Sequence, residues 1–382
     1  MSAIYVDHAA ATPVSTEAAA AMMDVMQSDF GNPSSIHTHG RQARKQLDEA
    51  RRKLAATIHA APEEIVFTGT GTEADNLAVT GYAHAHQHKG NHIVTSAIEH
   101  HAVLHTCRKL ETEGFDVTYL AVDEEGRVHK EQVKEAVTEQ TILITIMHGN
   151  NEVGTLQPIQ DIAAAAAEEK IAFHTDAVQS YGIEKLDVQE LPVTMLTASS
   201  HKINGPKGAA FLYVRKGTSL TPGVTGGEQE RKRRAGTENV PAAAGFAAAA
   251  EAAVTDRQSR RKHAEALRSC FLACLQEHEV SFTLNGPKDH YLPHIVNIHF
   301  PGIEVESFLV RLDMEGVSAS SGSACTAGSV EPSHVLQAMY QDDNRAEASV
   351  RFSFGPENTK EEMEELAAVI KKITGSMQAD IF

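Results

Sequence analysis

The spacing of apolar positions along this chain switches back and forth between two periods. Short apolar runs at 65–68, 93–96, 117–120, 142–147, 171–174 and 193–197 alternate with stretches in which apolar residues recur every three or four positions. The first kind predicts strands. The second predicts helices opening near Thr72, Ala102, Lys130 and Ile159. Strand, helix, strand in this rhythm predicts a mainly parallel sheet covered by helices. Ahead of it, 4–13 is a strand-like run closing in a turn, a helix follows from near Ser15, and 30–35 is a loop dense in turn formers. The helix after that loop shows Ala43, Leu47, Ala50, Leu54 and Ile58 on one face.

Past the sixth run comes a connection rich in small residues, Ser199-Ser200-His201-Lys202-Ile203-Asn204-Gly205-Pro206-Lys207-Gly208, and then another apolar run at 209–214. Two long helices are expected at 241–253 and 256–277, the second linking two domains. Beyond them the units shorten, at 295–300, 308–312, 317–319, 334–340, 350–354 and 361–373, as in a smaller α+β domain. A chain of 382 residues also exceeds what one core usually fills. The expected division is a large domain over 15–261 and a small one made of 1–14 plus 262–382.

Composition narrows the function classes. Apolar residues make up 42% of the chain, yet none of its stretches has the roughly 18 uninterrupted apolar residues of a membrane helix, and the amino terminus has no basic-then-apolar signal pattern. A cytoplasmic protein is expected. The net charge of −17 argues against direct binding to nucleic acid or an anionic membrane. Four cysteines are too few for a disulfide framework. Cys270 and Cys274, spaced i, i+4 in an Ala/Leu-rich helical stretch, are wrong for a zinc knuckle and read as core residues. The 21 histidines are too dispersed to form a metal tract, so no metal is expected.

Five stretches carry candidate chemistry, at the strand ends where an open α/β sheet places its ligands. Lys202 sits among small hydroxyl residues and glycines. It reads either as a surface lysine or as a rigidly presented amine suited to a Schiff base. Thr68-Gly69-Thr70-Gly71-Thr72-Glu73 joins a strand to a helix and is either an ordinary cap or a phosphate seat at a positive helix end. Asp176, just past an apolar strand, either caps the next segment or is a buried acid in need of a cation, such as the protonated ring nitrogen of pyridoxal phosphate. His100 ends another strand, as a structural residue or as a flat ring to stack on a cofactor. The run 318–328 surrounds Cys325 with small residues that cannot form a core. It predicts a mobile surface loop whose thiol is used, because an idle exposed thiol is a liability.

Together these blocks resemble a known family. Tyr5-Val6-Asp7-His8-Ala9-Ala10-Ala11-Thr12-Pro13, Phe30-Gly31-Asn32-Pro33-Ser34-Ser35, Glu99-His100, Asn150-Asn151-Glu152, His174-Thr175-Asp176-Ala177-Val178-Gln179, Ser199-Ser200-His201-Lys202, Arg234-Ala235-Gly236-Thr237 and Ser321-Gly322-Ser323-Ala324-Cys325 keep the order found in cysteine desulfurases of the NifS/IscS type. The resemblance spans nearly the whole chain. It implies an α/β fold of the PLP-dependent transferase kind, aminotransferase class V, with the cysteine loop at about 318–330 in the small domain. Lys202 would hold pyridoxal 5'-phosphate as a Schiff base and move protons at the substrate Cα. Asp176 would pair with the ring nitrogen, His100 would stack on the ring, and Gln179 would bond the ring oxygen. The phosphate would rest on Gly71, Thr72, Ser199 and His201, with Thr237 reaching over from a second subunit of a homodimer. Asn151 and Arg351, assisted by Asn32, would bind the carboxylate of L-cysteine. Cys325 would take the substrate sulfur as a persulfide, leaving L-alanine, and deliver it to an acceptor protein, an iron–sulfur scaffold or a tRNA-thiolating enzyme.

Gly71 stands where the family usually has alanine and Ala11 where threonine is common, changes that should not disturb cofactor binding. The ending 378–382 does not resemble the tail with which some relatives dock a scaffold. Arg231-Lys232-Arg233-Arg234 reads as a solvated or dimer-facing loop. Two other readings compete. A selenocysteine lyase or another class V aminotransferase is one, and an aminotransferase has no need of Cys325. An inactive sulfur-carrier scaffold is the other, and it has no need of Lys202, Asp176 or His100.

Overall fold

The computed structural model describes residues 3–322 and 332–379. In chain order the strands are β1 (Ile4–Tyr5), β2 (Ile65–Thr68), β3 (His92–Ser96), β4 (Asp116–Leu120), β5 (Thr141–Thr145), β6 (Ala172–Asp176), β7 (Met195–Ser199), β8 (Ala210–Val214), β9 (Thr283–Asn285), β10 (Ile295–His299), β11 (Val317–Ser318) and β12 (Ser349–Ser353). The helices are α1 (Thr16–Ser28), α2 (Thr38–Thr57), α3 (Gly71–His86), α4 (His101–Thr112), α5 (Lys130–Ala136), α6 (Ile159–Glu168), α7 (Val240–Thr255), α8 (Arg257–Glu277), α9 (Val305–Met314), α10 (His334–Tyr340), α11 (Asp343–Glu347) and α12 (Lys360–Ala379).

Seven strands form the main sheet in the order β2-β8-β7-β6-β5-β3-β4. All neighbours are parallel except β8, which runs antiparallel to both β2 and β7. A parallel return needs a crossover, whereas an antiparallel one needs only a turn, so the short connection from β7 to β8 is the one that carries Lys202. Strands β5 to β8 are buried at every position, which matches the apolar runs within them, while the polar residues of β5 to β7 fall mainly at the strand ends. Two cores cover the faces. Leu47, Leu54, Phe173, Phe211 and Phe246 lie in one, with α2 and α7; Leu77, Val79, Val103 and Leu110 lie in the other, with α3 and α4.

The carboxyl-terminal third builds a second sheet, β12-β10-β9, antiparallel throughout. Its core of Phe271, Val296, Phe308, Phe352, Leu366 and Ile370 is separate from the first two. The first residues of the chain belong here: β1 pairs in parallel with β11, and Asp7 bridges to Ser353. Among the described residues, no helix is long and apolar enough to cross a membrane.

One sequence expectation is corrected. Cys270 and Cys274 are not core residues but half-buried side chains at the rim of the second core. On α8 the core stripe is Leu267, Phe271 and Leu275; each cysteine lies one residue earlier and so about 100° around the helix. In the basic run Arg231 and Lys232 are exposed, while its second half is tied to the body of the fold. Arg234 is clamped to Glu73 at 2.7 Å, Arg233 is half-buried, and the preceding Glu230 is a buried partner of Arg51.

Candidate active site

Residues from both sheets line a cavity of about 370 Å³ at the carboxyl ends of β5 to β7. Its floor is Asp176, the last residue of β6, 5% exposed, whose Oδ1 accepts from the Val178 amide at 2.9 Å. Burial pushes this carboxyl up to about 6, against the opposing pull of the Val178 hydrogen bond and the Lys202 charge. Beside it on α3 is Asp75, also buried, its carboxyl raised by desolvation and by the charge of Asp176. Asp75 Oδ1 has no hydrogen-bond partner among the described residues and lies 3.6 Å from His174 Nε2. His174 is fully buried between the Thr145 and Thr197 hydroxyls at 2.8 and 3.1 Å, and burial pushes its ring down to about 3, so it is neutral and gives Asp75 no counter-charge.

Lys202 ends a one-turn helix, Ser200–Lys202, that rounds the corner from β7. Its Nζ donates to the carbonyls of Ala9 and Ala10 at 2.6 and 2.9 Å. Gln179 donates to the same Ala9 oxygen at 2.8 Å, so the amino-terminal segment forms one lip of the cavity. His100 faces this group as the N-cap of α4, its Nδ1 accepting from Ala102 at 3.1 Å; burial and then the Lys202 charge push it down to about 4. The same two causes, with Lys207 added, push His201 down to about 4.

At the far end the first turn of α3 begins at Gly71, with Thr70 capping the Glu73 amide at 3.0 Å. A Cβ on Gly71 would sit 3.1 Å from Val178 Cγ2, which explains the tolerance for only a small residue there. Thr72 follows on the exposed side, and Ser199 Oγ meets His201 Nδ1 at 2.8 Å across the gap. The helix end, these hydroxyls and the backbone amides form an anion seat. The opposite wall is Arg351 on β12, 4% exposed, with Nη2 on Asp7 at 2.8 Å and Nη1 on the Asn151 carbonyl at 3.1 Å. Its buried Nε has no partner among the described residues.

Thus Lys202, Asp176, His100, Gln179, Gly71, Thr72, Ser199, His201, Asn151 and Arg351 share one cavity. Asn32 and Thr237 are not among its lining residues. Asn32 is exposed and its carboxamide caps its own turn through the Ser34 amide at 2.9 Å, and Thr237 is exposed. Cys325 lies outside the described residues, as do its neighbours 323–331. Sequence reasoning assigned no role to Asp75, Asp7 or Met147. Asp75 gives a weak signal, a carboxylate between Ala74 and Leu77 on a helix whose buried face is otherwise apolar.

These side chains fit a small, flat, charged cofactor. Two buried carboxyls await a cation, a helix end awaits a phosphate, and an amine stands at the mouth. An open, mainly parallel sheet with a strand-end lysine facing such a floor defines a pyridoxal phosphate enzyme. The chain belongs to the aminotransferase class-V family, whose sequence model matches residues 4–366. A Bacillus subtilis (strain 168) protein provisionally named cysteine desulfurase IscS 1 is 52% identical over 379 residues, 98% of this chain and 100% of that one. The cysteine desulfurase IscS of Dictyoglomus turgidum is 46% identical over 370 residues, 97% and 94% of the two chains. Among solved structures, a NifS-like protein superposes with a TM-score of 0.92 at 34% identity, covering 98% and 99% of the two chains. SspA in complex with cysteine superposes with a TM-score of 0.81 at 38% identity, covering 93% and 100%. The cofactor of the family and of its desulfurase members is pyridoxal phosphate.

Proposed function

We propose that this chain is a cysteine desulfurase that converts L-cysteine to L-alanine and leaves the sulfur as a persulfide on Cys325. One observation carries the reading. The cavity that gathers Lys202, Asp176, His100 and Arg351 also has Gly322 in its wall, and Cys325 follows three residues later. Bound pyridoxal phosphate supplies an electron sink for the pair of electrons released at the substrate Cα.

The chain's own residues do the rest. Lys202 anchors the cofactor through its amine and carries a proton to and from Cα. Asp176 would keep the ring nitrogen cationic, His100 would stack on the ring, and Gln179 would bond the ring oxygen. Gly71, Thr72, Ser199 and His201 hold the phosphate. Arg351 takes the substrate carboxylate through its planar fork, with Asn151 beside it and Asn32 assisting. In the sulfur step the substrate C–S bond breaks, Cys325 Sγ bonds that sulfur, and the substrate carbon takes a proton to become the methyl group of alanine.

Thr237 is exposed and outside its own cavity, which leaves it to serve the phosphate seat of a partner subunit in a homodimer. Phe30 and Ile36, 71% and 91% exposed on the loop that holds Asn32, support such a contact. The sulfur passes to an acceptor protein, an iron–sulfur scaffold or a tRNA-thiolating enzyme, in the cytoplasm. Residues 15–261 form the cofactor-binding domain, and 1–14 with 262–382 form the domain that presents Cys325.

The test is alanine and sulfide production from L-cysteine with a reductant, native chain against Cys325→Ala. Equal yields of both products from the native chain alone are expected, with the yellow colour kept in the variant. A Cys325→Ala chain that turns over normally sinks the persulfide route.

A further inference from the structure

Gly322, immediately before 323–331, and Ser333, two residues after it, converge on a single buried side chain. Ser333 Oγ donates to Glu152 Oε2 at 2.5 Å. On the other flank a Cβ placed on Gly322 would land on the same Glu152 carboxylate oxygen, so only glycine fits there. Glu152 is 2% exposed, and its backbone is fixed by Asn150 Oδ1 on its amide at 2.8 Å and Asn297 Nδ2 on its carbonyl at 3.2 Å. The incoming flank is also tied at Ser320, which exchanges backbone hydrogen bonds with Arg351.

We propose that Glu152 is a positioning residue for sulfur transfer, clamping both flanks of the Cys325-bearing segment beside the substrate pocket. It acts through Gly322 and Ser333 and touches no substrate. The consequence rests on the desulfurase reading: with Ser333 bonded to this carboxylate and Gly322 packed against it, the reach of Cys325 is measured from a fixed base next to Arg351. A buried carboxylate that accepts a hydroxyl at this distance makes a strong, directional tie, and losing it shifts the base by more than the reacting atoms tolerate.

Ser333 also caps α10 through the Leu336 amide at 3.1 Å, so the variants separate the two roles. Ser333→Asp keeps a good cap but sets a carboxylate against Glu152. The open groove beside Ser333, about 380 Å³, has space for it. In cofactor-loaded protein Ser333→Asp is expected to slow single-turnover persulfide formation on Cys325 by roughly 10- to 100-fold. L-Cysteine affinity, read from the cofactor absorbance, should change less than about twofold, since the pocket is untouched. Adding Glu152→Gln restores a donor facing the new carboxylate, and most of the lost rate should return.

A second readout needs no turnover: the rate at which iodoacetamide alkylates Cys325 in the resting protein. It should move away from native in Ser333→Asp and in Gly322→Ala, and back in the double variant. Native alkylation and transfer rates in Ser333→Asp, or a double variant no better than the single, overturn the clamp. If the native chain makes no alanine, the desulfurase reading fails while the alkylation series still decides the clamp.

Discussion

The wall of the cavity built by β6 and α3 ends in two buried carboxyls, Asp176 and Asp75, whereas the wall built by β12 ends in a buried guanidinium, Arg351. Among the described residues the acids pair with no arginine, Asp176 feels only the positive charge of Lys202, and the imidazole beside Asp75, His174, is neutral. Arg351 has Asp7 on one nitrogen and leaves Nε unmatched among the described residues. Each wall is charged with the sign its missing partner lacks. A cation fits against the main sheet and a carboxylate against the second sheet, so cofactor and substrate are sorted by wall.

Removing the amine between the walls breaks this arrangement most severely. Lys202→Ala is expected to lose about 10³-fold or more in alanine production and to lose the absorbance near ~400 nm of a lysine-linked cofactor. A chain that keeps both would remove Lys202 from the chemistry. Next comes the substrate wall. Arg351→Lys keeps the charge but not the fork, and should cost roughly 100-fold in kcat/KM, carried mainly by KM, with the cofactor spectrum intact. A variant that instead weakens cofactor binding would show that the two walls are not independent.

The cofactor wall is tested by pH. In the cofactor-free fold Asp176, raised to about 6, keeps its proton where the unfolded chain, with the ordinary value of 3.8, has lost it. The folded state then binds more protons, so stability falls as pH rises from about 4 to about 6 and stays lower above that window. Asp176→Asn should remove this loss and gain on the order of 2 kcal/mol near pH 7 without cofactor. With cofactor bound the sign should reverse, because the variant offers the ring nitrogen no anion. Thermal unfolding of both forms across that range decides it, and equal shifts would dismiss the cation-seeking floor. The smallest effect is at the helix end. Thr70→Ala removes the cap on the Glu73 amide and should cost about 1 kcal/mol in denaturant unfolding, with weaker phosphate-dependent cofactor binding.

The sequence made the main sheet legible because β5 to β7 are buried on both faces and carry short apolar runs, and Asp176 and Lys202 follow where those runs stop. It did not reveal that β8 inserts between β2 and β7, since strand order is decided by contacts between distant segments. The pairing of Asp7 with Arg351 was hidden for the same reason, being 344 residues apart. Cys270 and Cys274 misled because a helix with small residues on several faces blurs the edge of its apolar stripe. Glu152 stood in a quoted motif, but nothing local shows that it faces both Gly322 and Ser333.

The lip formed by Ala9 and Ala10 also sets a timetable. These residues leave the ribosome before all their partners, yet Ala9 receives Lys202 and Gln179 and donates its own amide to Ser353 Oγ, while β1 waits for β11. At roughly 5–20 residues per second of synthesis, Ala9 waits for Ser353, 344 residues on, for some tens of seconds. When Lys202 emerges its lip is already made but not yet fastened, and the reactive centre is fixed only once Val317, Ser318 and Ser353 have followed.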